Sequence, residues 1–258
     1  VNFPIFFAWQ VCCLPSHTSQ NILAYARSSI SKHPIGFKKI LEIYMDKIFK
    51  IRNEEEKDFK RVEEITRKSF WNLYFPGCVE HYLVHVMRSH KDFIPELDLV
   101  IEVDDQVIGN IMYTKTKLID EHGEVKDILT FGPVCILPEY QRMGYGKALL
   151  EYSFEKAIAL GYEVIVIFGN PNNYVSRGFK CCKKFNVCLE NGTFPSAMMV
   201  KELKPDVLDG RKWVYVQSHV FEFDEQEAKR FDEGLESMEK KVQPSQEEFY
   251  ILSHSVIQ

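Results

Sequence analysis

The run Glu163-Val164-Ile165-Val166-Ile167-Phe168 constrains the architecture of this chain more than any other segment. Its apolar residues follow one another without a polar alternate, and most are β-branched, so it reads as a strand covered on both faces. Such a strand sits inside a sheet with helices on either side. The segment before it supports this. Lys147 to Leu160 carries Leu149, Leu150, Phe154 and Ile158 at helical spacing, and Gly161 is placed to close the helix. Strand, helix and strand in that order imply an α/β fold with a mixed central sheet flanked by helices.

The remaining pattern fills in the frame. Ile51-Arg52 reads as a short strand, and Asn53 as the N-cap of a helix that carries Phe59, Val62, Ile65, Thr66, Ser69 and Phe70. A second helix is expected over Val79 to His90, with Tyr82, Leu83, Val86 and Met87 on one face. Leu97–Val103 and Val107–Lys115, joined by Asp104-Asp105-Gln106, read as an antiparallel hairpin. Ile128 to Leu137 is a strand interrupted at Gly132-Pro133. Proline donates no ladder hydrogen bond, so the strand should bulge or splay there before Pro138 ends it. A short helix is expected up to Arg177, with strands near Phe185–Leu189 and Met198–Leu203. Beyond Pro205, Lys212–Phe223 could add strands. Glu225–Lys241 reads as one charged amphipathic helix with Ala228, Phe231, Leu235 and Met238 as its stripe and a solvated acidic face.

Composition narrows the class of function. The net charge of -5 gives no basic footprint for a nucleic-acid partner, while a mildly acidic surface suits a cationic amine. Seven cysteines (Cys12, Cys13, Cys78, Cys135, Cys181, Cys182 and Cys188) form no CxxC pair, so they read as reduced, structural thiols of a cytoplasmic protein. A cysteine nucleophile would need an adjacent base, and the sequence shows no local pairing. Val1 to Cys13 is apolar but lacks a basic leader and contains Pro4, which suits neither a signal peptide nor a spanning helix, so no membrane association is expected.

The chemistry concentrates between Gly132 and Leu150, where Gly144 and Gly146 stand between a strand and a helix. Glycines let the backbone approach a ligand, and free amides at a helix start attract an anion. Neither GxxxxGK[ST] nor GxGxxG spacing is present. Taken alone, the glycine pair fits an ordinary strand-to-helix turn equally well. The longer string Pro138-x-x-Gln141-Arg142-x-Gly144-x-Gly146 resembles the pyrophosphate-binding motif of the GNAT superfamily of N-acetyltransferases. The resemblance runs over roughly Ile51 to Leu203. Within the superfamily it points to bacterial acetyltransferases with a GNP…Y…GF segment, here Gly169-Asn170-Pro171, Tyr174 and Gly178-Phe179.

The resemblance implies a GNAT fold whose middle strands splay apart, with acetyl-CoA as co-substrate and no metal. The backbone of Val134, Cys135 and Ile136 would follow the pantetheine arm, and the amides of Arg142, Met143, Gly144, Tyr145, Gly146 and Lys147 would hold the pyrophosphate. Tyr174 matches the tyrosine that protonates the departing thiolate; a phenol has the acidity for this, although packing on the short helix would also explain it. One position departs from the pattern: where many members carry an Asn seven residues before the Tyr, this chain has Ile167. Asn170 or Asn173 could substitute, though each also suits the turn itself.

No general base is assigned. Glu102, Asp127 and Glu163 are candidates by their place on or near strands, whereas Glu139 reads as a cap for the helix that follows. His81 and His85 share one helix without a third ligand, which reads as an exposed face rather than a zinc site. Phe70, Trp71, Tyr74 and Phe75 stand between the first two helices and could line an acceptor pocket. The expected division is 1–50 as either an atypical N-terminal extension or sequence outside the domain, an acetyltransferase domain over 51–205 and a C-terminal extension over 206–258. The expected activity is acetyl transfer to a small-molecule or peptide amine in a ternary complex, with homodimerisation left open. The alternative is a non-catalytic acyl-CoA sensor or interaction module on the same fold.

Overall fold

The computed structural model describes residues 49–258, so Cys12, Cys13 and Val1–Cys13 lie outside the described residues. Nine strands form one mixed sheet: β1 (Lys50–Asn53), β2 (Leu99–Val103), β3 (Gln106–Asp120), β4 (Val125–Ile136), β5 (Val164–Phe168), β6 (Lys180–Cys181), β7 (Val187–Cys188), β8 (Met198–Glu202) and β9 (Trp213–Val216). The main path runs β1-β2-β3-β4-β5-β8-β6, and β9 pairs with both β3 and β7. The helices are α1 (Phe59–Phe70), α2 (Glu80–Met87), α3 (Tyr145–Ala159), the single turn α4 (Pro171–Tyr174), α5 (Glu225–Glu233) and α6 (Pro244–Ser253). No helix among the described residues is long and apolar enough to cross a membrane.

The α/β class and the mixed sheet flanked by helices are as the sequence implies. Strand β5 is buried at all five positions. Helix α1 buries Val62, Ile65, Thr66, Ser69 and Phe70 and lies against β3 and β4. On the opposite face α3 closes over Tyr113, whose hydroxyl shares a 2.7 Å hydrogen bond with Ser153. The β2–β3 hairpin turns through Asp104 and Asp105, both in the left-handed region at φ 48° and 59°. That is the geometry of a two-residue hairpin turn, and Asp tolerates it.

Several expectations are corrected. Asn53 does not cap a helix; it ends β1, and its side-chain amide donates to the carbonyls of Pro95, Glu96 and Asp98. Glu139 caps nothing: the N-cap of α3 is Gly144, and no side chain caps that helix. The strand expected at Phe185–Leu189 shrinks to two residues because Asn186 turns left-handed at φ 54°. The amphipathic helix expected over Glu225–Lys241 stops at Glu233, before Gly234.

Tertiary hydrogen bonds explain that last break. The carbonyl of Glu236 accepts from Arg67, and that of Glu239 accepts from Trp71 Nε1 and Asn72 Nδ2. A helix continued to Lys241 would tie the Glu236 carbonyl to the Lys240 amide. The C-terminal segment instead straps the α1–α2 connection. Ser245 and Gln246 donate to the carbonyls of Leu73 and Asn72, and Phe249 stacks on Tyr74 at 4.7 Å. The aromatic run at Phe70–Phe75 is therefore largely packed, with Phe70 and Tyr74 buried.

Candidate active site at the opening between β4 and β5

Strand β4 is fully paired with β3 on one side but opens on the other. In β3 Ile111 pairs with Val134 and Tyr113 with Phe131, so Gly132 and Pro133 together face Met112. Two residues opposite one is a bulge, and a bulge bends its strand. On the far side β4 meets β5 in parallel through one registered pair, Leu129 with Ile165. Past that pair β5 turns away to β8, with which it pairs from Val164 to Phe168. The edge of β4 from Phe131 onward is thus left without a strand partner on the β5 side. This is the splay that Gly132-Pro133 predicts.

Val134, Cys135 and Ile136 lie buried on this edge. Ile136 also anchors the turn that follows: its carbonyl accepts from Ser69 Oγ at 3.0 Å and from Gln141 Nε2 at 2.9 Å. Gln141 therefore ties the loop back to the end of the strand. From there Arg142 (φ 63°) and Gly144 (φ 97°) bend the chain through the left-handed region into α3. The first described helical bond here runs from Ala148 N to the Gly144 carbonyl. Among the described hydrogen bonds none uses the amides of Arg142, Met143, Gly144, Tyr145, Gly146 or Lys147. A Cβ built on Gly144 meets nothing within 4 Å, which leaves open space over the loop. Successive unpaired amides at a helix N-terminus form an anion cradle. This donor set fits a pyrophosphate.

Tyr174 ends α4 and is wholly buried. Its ring lies 5.8 Å from those of Phe131 and Phe179, and Phe179 in turn lies 5.9 Å from Phe154 of α3. The phenol therefore sits beside the bulge on the α3 face of the sheet. Gly178 ends that turn at φ 87°, and a Cβ there would fall 2.7 Å from Lys201 Nζ. Ile167 is buried in the β5–β8 ladder opposite Met199. Asn170 serves its turn, as its side chain accepts from the Asn172 amide at 3.0 Å.

The carboxylates expected from sequence lie elsewhere. Glu102 is engaged by Arg52, and Glu163 by Lys126 and Lys204, which hold its carboxyl below the usual range. Asp127 and Glu139 are exposed. What the opening does contain is Glu80, the first residue of α2. It lines a cavity of about 10 Å³, room for about one water, together with Thr130, Phe131, Gly132, Pro133 and Phe168. Glu80 is buried; its Oε2 accepts from the Val79 amide at 3.0 Å, and its Oε1 has no hydrogen-bond partner. Burial pushes its carboxyl up to about 7 against the pull of the Glu80 and Val79 amides. The sequence did hold a signal: Glu80, Leu83, Val84 and Met87 fall at i, i+3, i+4 and i+7, and all four are buried. A carboxylate heading an apolar stripe is out of place there.

His81 is also corrected. It is buried rather than exposed, because Phe231 of α5 covers it at 5.6 Å and Asp232 Oδ1 reaches its Nε2 at 3.2 Å. Its Nδ1 lies 3.4 Å from Cys78 Sγ. Here the fold does bring a histidine to a cysteine. Burial drives the Cys78 thiol well above its ordinary value, however, the opposite of what a nucleophile needs. The thiols of Cys78, Cys135, Cys181, Cys182 and Cys188 are all free.

A mixed α/β sheet opened between two parallel strands, with an amide cradle at the next helix start, makes a slot for an extended ligand that carries an anionic group. Residues 66–180 match the Acetyltransferase (GNAT) family model, and this domain belongs to the GNAT superfamily of N-acetyltransferases. The chain is 28% identical over 162 residues to the uncharacterized N-acetyltransferase YhbS of Escherichia coli K12, covering 62% of this chain and 90% of that one. It is also 28% identical over 102 residues to the uncharacterized N-acetyltransferase YjhQ of the same organism. That match covers 39% of this chain and spans 55% of the length of YjhQ. The crystal structure of E. coli YhbS in complex with CoA superposes with a TM-score of 0.58 at 25% identity, over 68% of this chain and 93% of that one. A Brucella melitensis GNAT acetyltransferase, solved in complex with acetyl-CoA, shares the fold with a TM-score of 0.54 at 22% identity, over 68% and 99%.

Proposed function

We propose that this chain transfers an acetyl group from acetyl-CoA to an amine acceptor while both are bound. The observation that supports this most is the continuity of the β4 opening with the amide cradle of Arg142 to Lys147. Pyrophosphate at the cradle directs the pantetheine arm along Val134, Cys135 and Ile136, whose free edge can pair with its amides. The thioester then lies at the Gly132-Pro133 bulge. An N–H near the bulge polarises its carbonyl, and alignment of the two substrates supplies much of the rate. Tyr174, beside the bulge, protonates the CoA thiolate as it departs. The CoA and acetyl-CoA complexes of the YhbS and Brucella proteins agree with this choice of co-substrate.

The test is release of free CoA from acetyl-CoA over a panel of polyamines, amino acids, aminoglycosides and peptide N-termini. Amine-dependent release is the expected result. Tight CoA binding with no turnover on any amine would instead support a non-catalytic acyl-CoA sensor, a reading that the Ile167 departure favours.

A further inference from the structure

The sheet opening has two sides. Tyr174 reaches it from the α3 face, through Phe131 and Phe179. Glu80 reaches it from the α1–α2 face, through the cavity bounded by Gly132, Pro133 and Phe168. Leu83, Tyr215, Gln217 and Phe221 complete the lining on the Glu80 side. The hydroxyl of Tyr215 is already engaged with Thr130 Oγ1 at 2.8 Å, and Thr130 with Thr116 at 3.0 Å. In this wall, where Gln217 is the other polar side chain besides the engaged Thr130 and Tyr215, Glu80 Oε1 is a buried acceptor with no hydrogen-bond partner. A buried carboxylate oxygen without a donor is costly to the fold, and an ammonium entering the cavity would satisfy it with a charge-assisted hydrogen bond.

Building on the acetyl-transfer reading, we propose that Glu80 holds the acceptor's primary ammonium at the opening, where a water-sized space admits that head group, and removes its proton. The steps balance as follows. The Glu80 carboxylate takes one ammonium proton. The freed nitrogen attacks the thioester carbonyl carbon and forms the C–N bond. The C–S bond then breaks with its electron pair on sulfur, and Tyr174 gives that thiolate its proton. The second proton, shed by the new amide nitrogen, restores Tyr174. Glu80 finally releases its proton to solvent.

The neighbours leave this task to Glu80. Tyr74 and Cys78, from the α1–α2 connection, are pushed up by burial and by the Glu80 charge, so they stay neutral near pH 7. Burial pushes Tyr215 up to about 12. Strands β4 and β5 contribute only Thr130, Phe131, Gly132, Pro133 and Phe168 to this wall. Arg67, His81 and Asp232 engage one another beside Cys78. His219, next to Phe221, is exposed and paired with Glu222. Glu80 itself, raised to about 7, is poised for proton transfer near neutrality.

The test compares wild type, Glu80→Gln and Glu80→Asp across pH with acetyl-CoA and short alkyl and arylalkyl primary amines. In parallel, CoA affinity is measured by calorimetry. The wild-type kcat/KM should rise with pH through a limb near 7. Glu80→Gln should lose that limb and about 10²- to 10³-fold in kcat/KM while binding CoA as wild type does. Glu80→Asp should restore part of the rate and of the limb. Retention of the rate and limb by Glu80→Gln overturns the proposal while leaving acetyl transfer intact. Loss of CoA binding in Glu80→Gln also overturns it, since the residue would then serve only the frame. Absence of wild-type turnover on every amine overturns the acetyl-transfer reading and the role of Glu80 with it.

Discussion

Leu129 and Ile165 form the one registered pair between β4 and β5, and beyond it the two strands separate. The two halves of the sheet meet at this hinge point, and the candidate chemistry lies just past it. Phe131 and Phe168 flank the gap, with the Gly132-Pro133 bulge on one side.

Gly144 should be intolerant of any side chain. At φ 97° an L residue is strained, even though its Cβ would meet no atom within 4 Å. Gly144→Glu adds a negative charge where an anion is to sit. Calorimetric titration with CoA should show at least a ~10-fold loss of affinity, equivalent to about 1.4 kcal/mol. Unchanged affinity would remove the cradle from the account.

Tyr174→Phe keeps the ring that packs on Phe131 and Phe179 and deletes the hydroxyl. The expected outcome is a fall in kcat of about 10²-fold with CoA affinity preserved. A variant as fast as wild type would reduce Tyr174 to a packing residue.

Glu80 should also leave a mark on stability. Its folded-state carboxyl lies near 7, above the ordinary 4.5, so between these values the folded protein holds a proton that the unfolded chain has lost. Stability is therefore intact below about 4.5 and falls as pH rises through 7. Asp98, raised to about 9 by burial and by Glu54, acts with the same sign, so the comparison must be between variants. Glu80→Gln should melt with wild type at pH 4 and several degrees above it at pH 8, reflecting at most about 3 kcal/mol. Equal melting temperatures at pH 8 would show that the carboxyl is not held in an apolar site.

The C-terminal strap should matter to the fold. Asp232 Oδ1 accepts from Arg67 Nε at 2.8 Å, and the Arg67 side chain is 8% exposed. Removing the carboxylate strands a buried guanidinium, so Asp232→Ala should cost ~2 kcal/mol in a denaturant titration. A loss within ±0.5 kcal/mol would mean that the strap is held by its other bonds alone.

Much of this was legible in the sequence where local physics decides the outcome. The unbroken apolar run of β5 required a doubly covered strand. Gly132-Pro133 required a break in the β4 ladder. Gly144 required a turn that an L residue resists. What was not legible depends on distant partners. The spacing of Glu80 with Leu83, Val84 and Met87 marks its face of the helix as buried, but that β4, β5 and the 219–221 turn close around it depends on distant segments. His81 reads as exposed until α5 covers it. The helix beginning at Glu225 stops at Glu233 because carbonyls two turns later are claimed by Arg67, Trp71 and Asn72. No local pattern encodes those bonds. Helix α6 did carry a signal in Pro244 at its first position, one that favours a helix start rather than a break.

Initial rates of CoA release, measured over a matrix of acetyl-CoA and amine concentrations, test the central claim most directly. Both substrates meeting at the opened strands should give amine-dependent release with intersecting reciprocal plots. Parallel plots, which indicate a covalent acetyl-enzyme, or release that no amine accelerates, would contradict it.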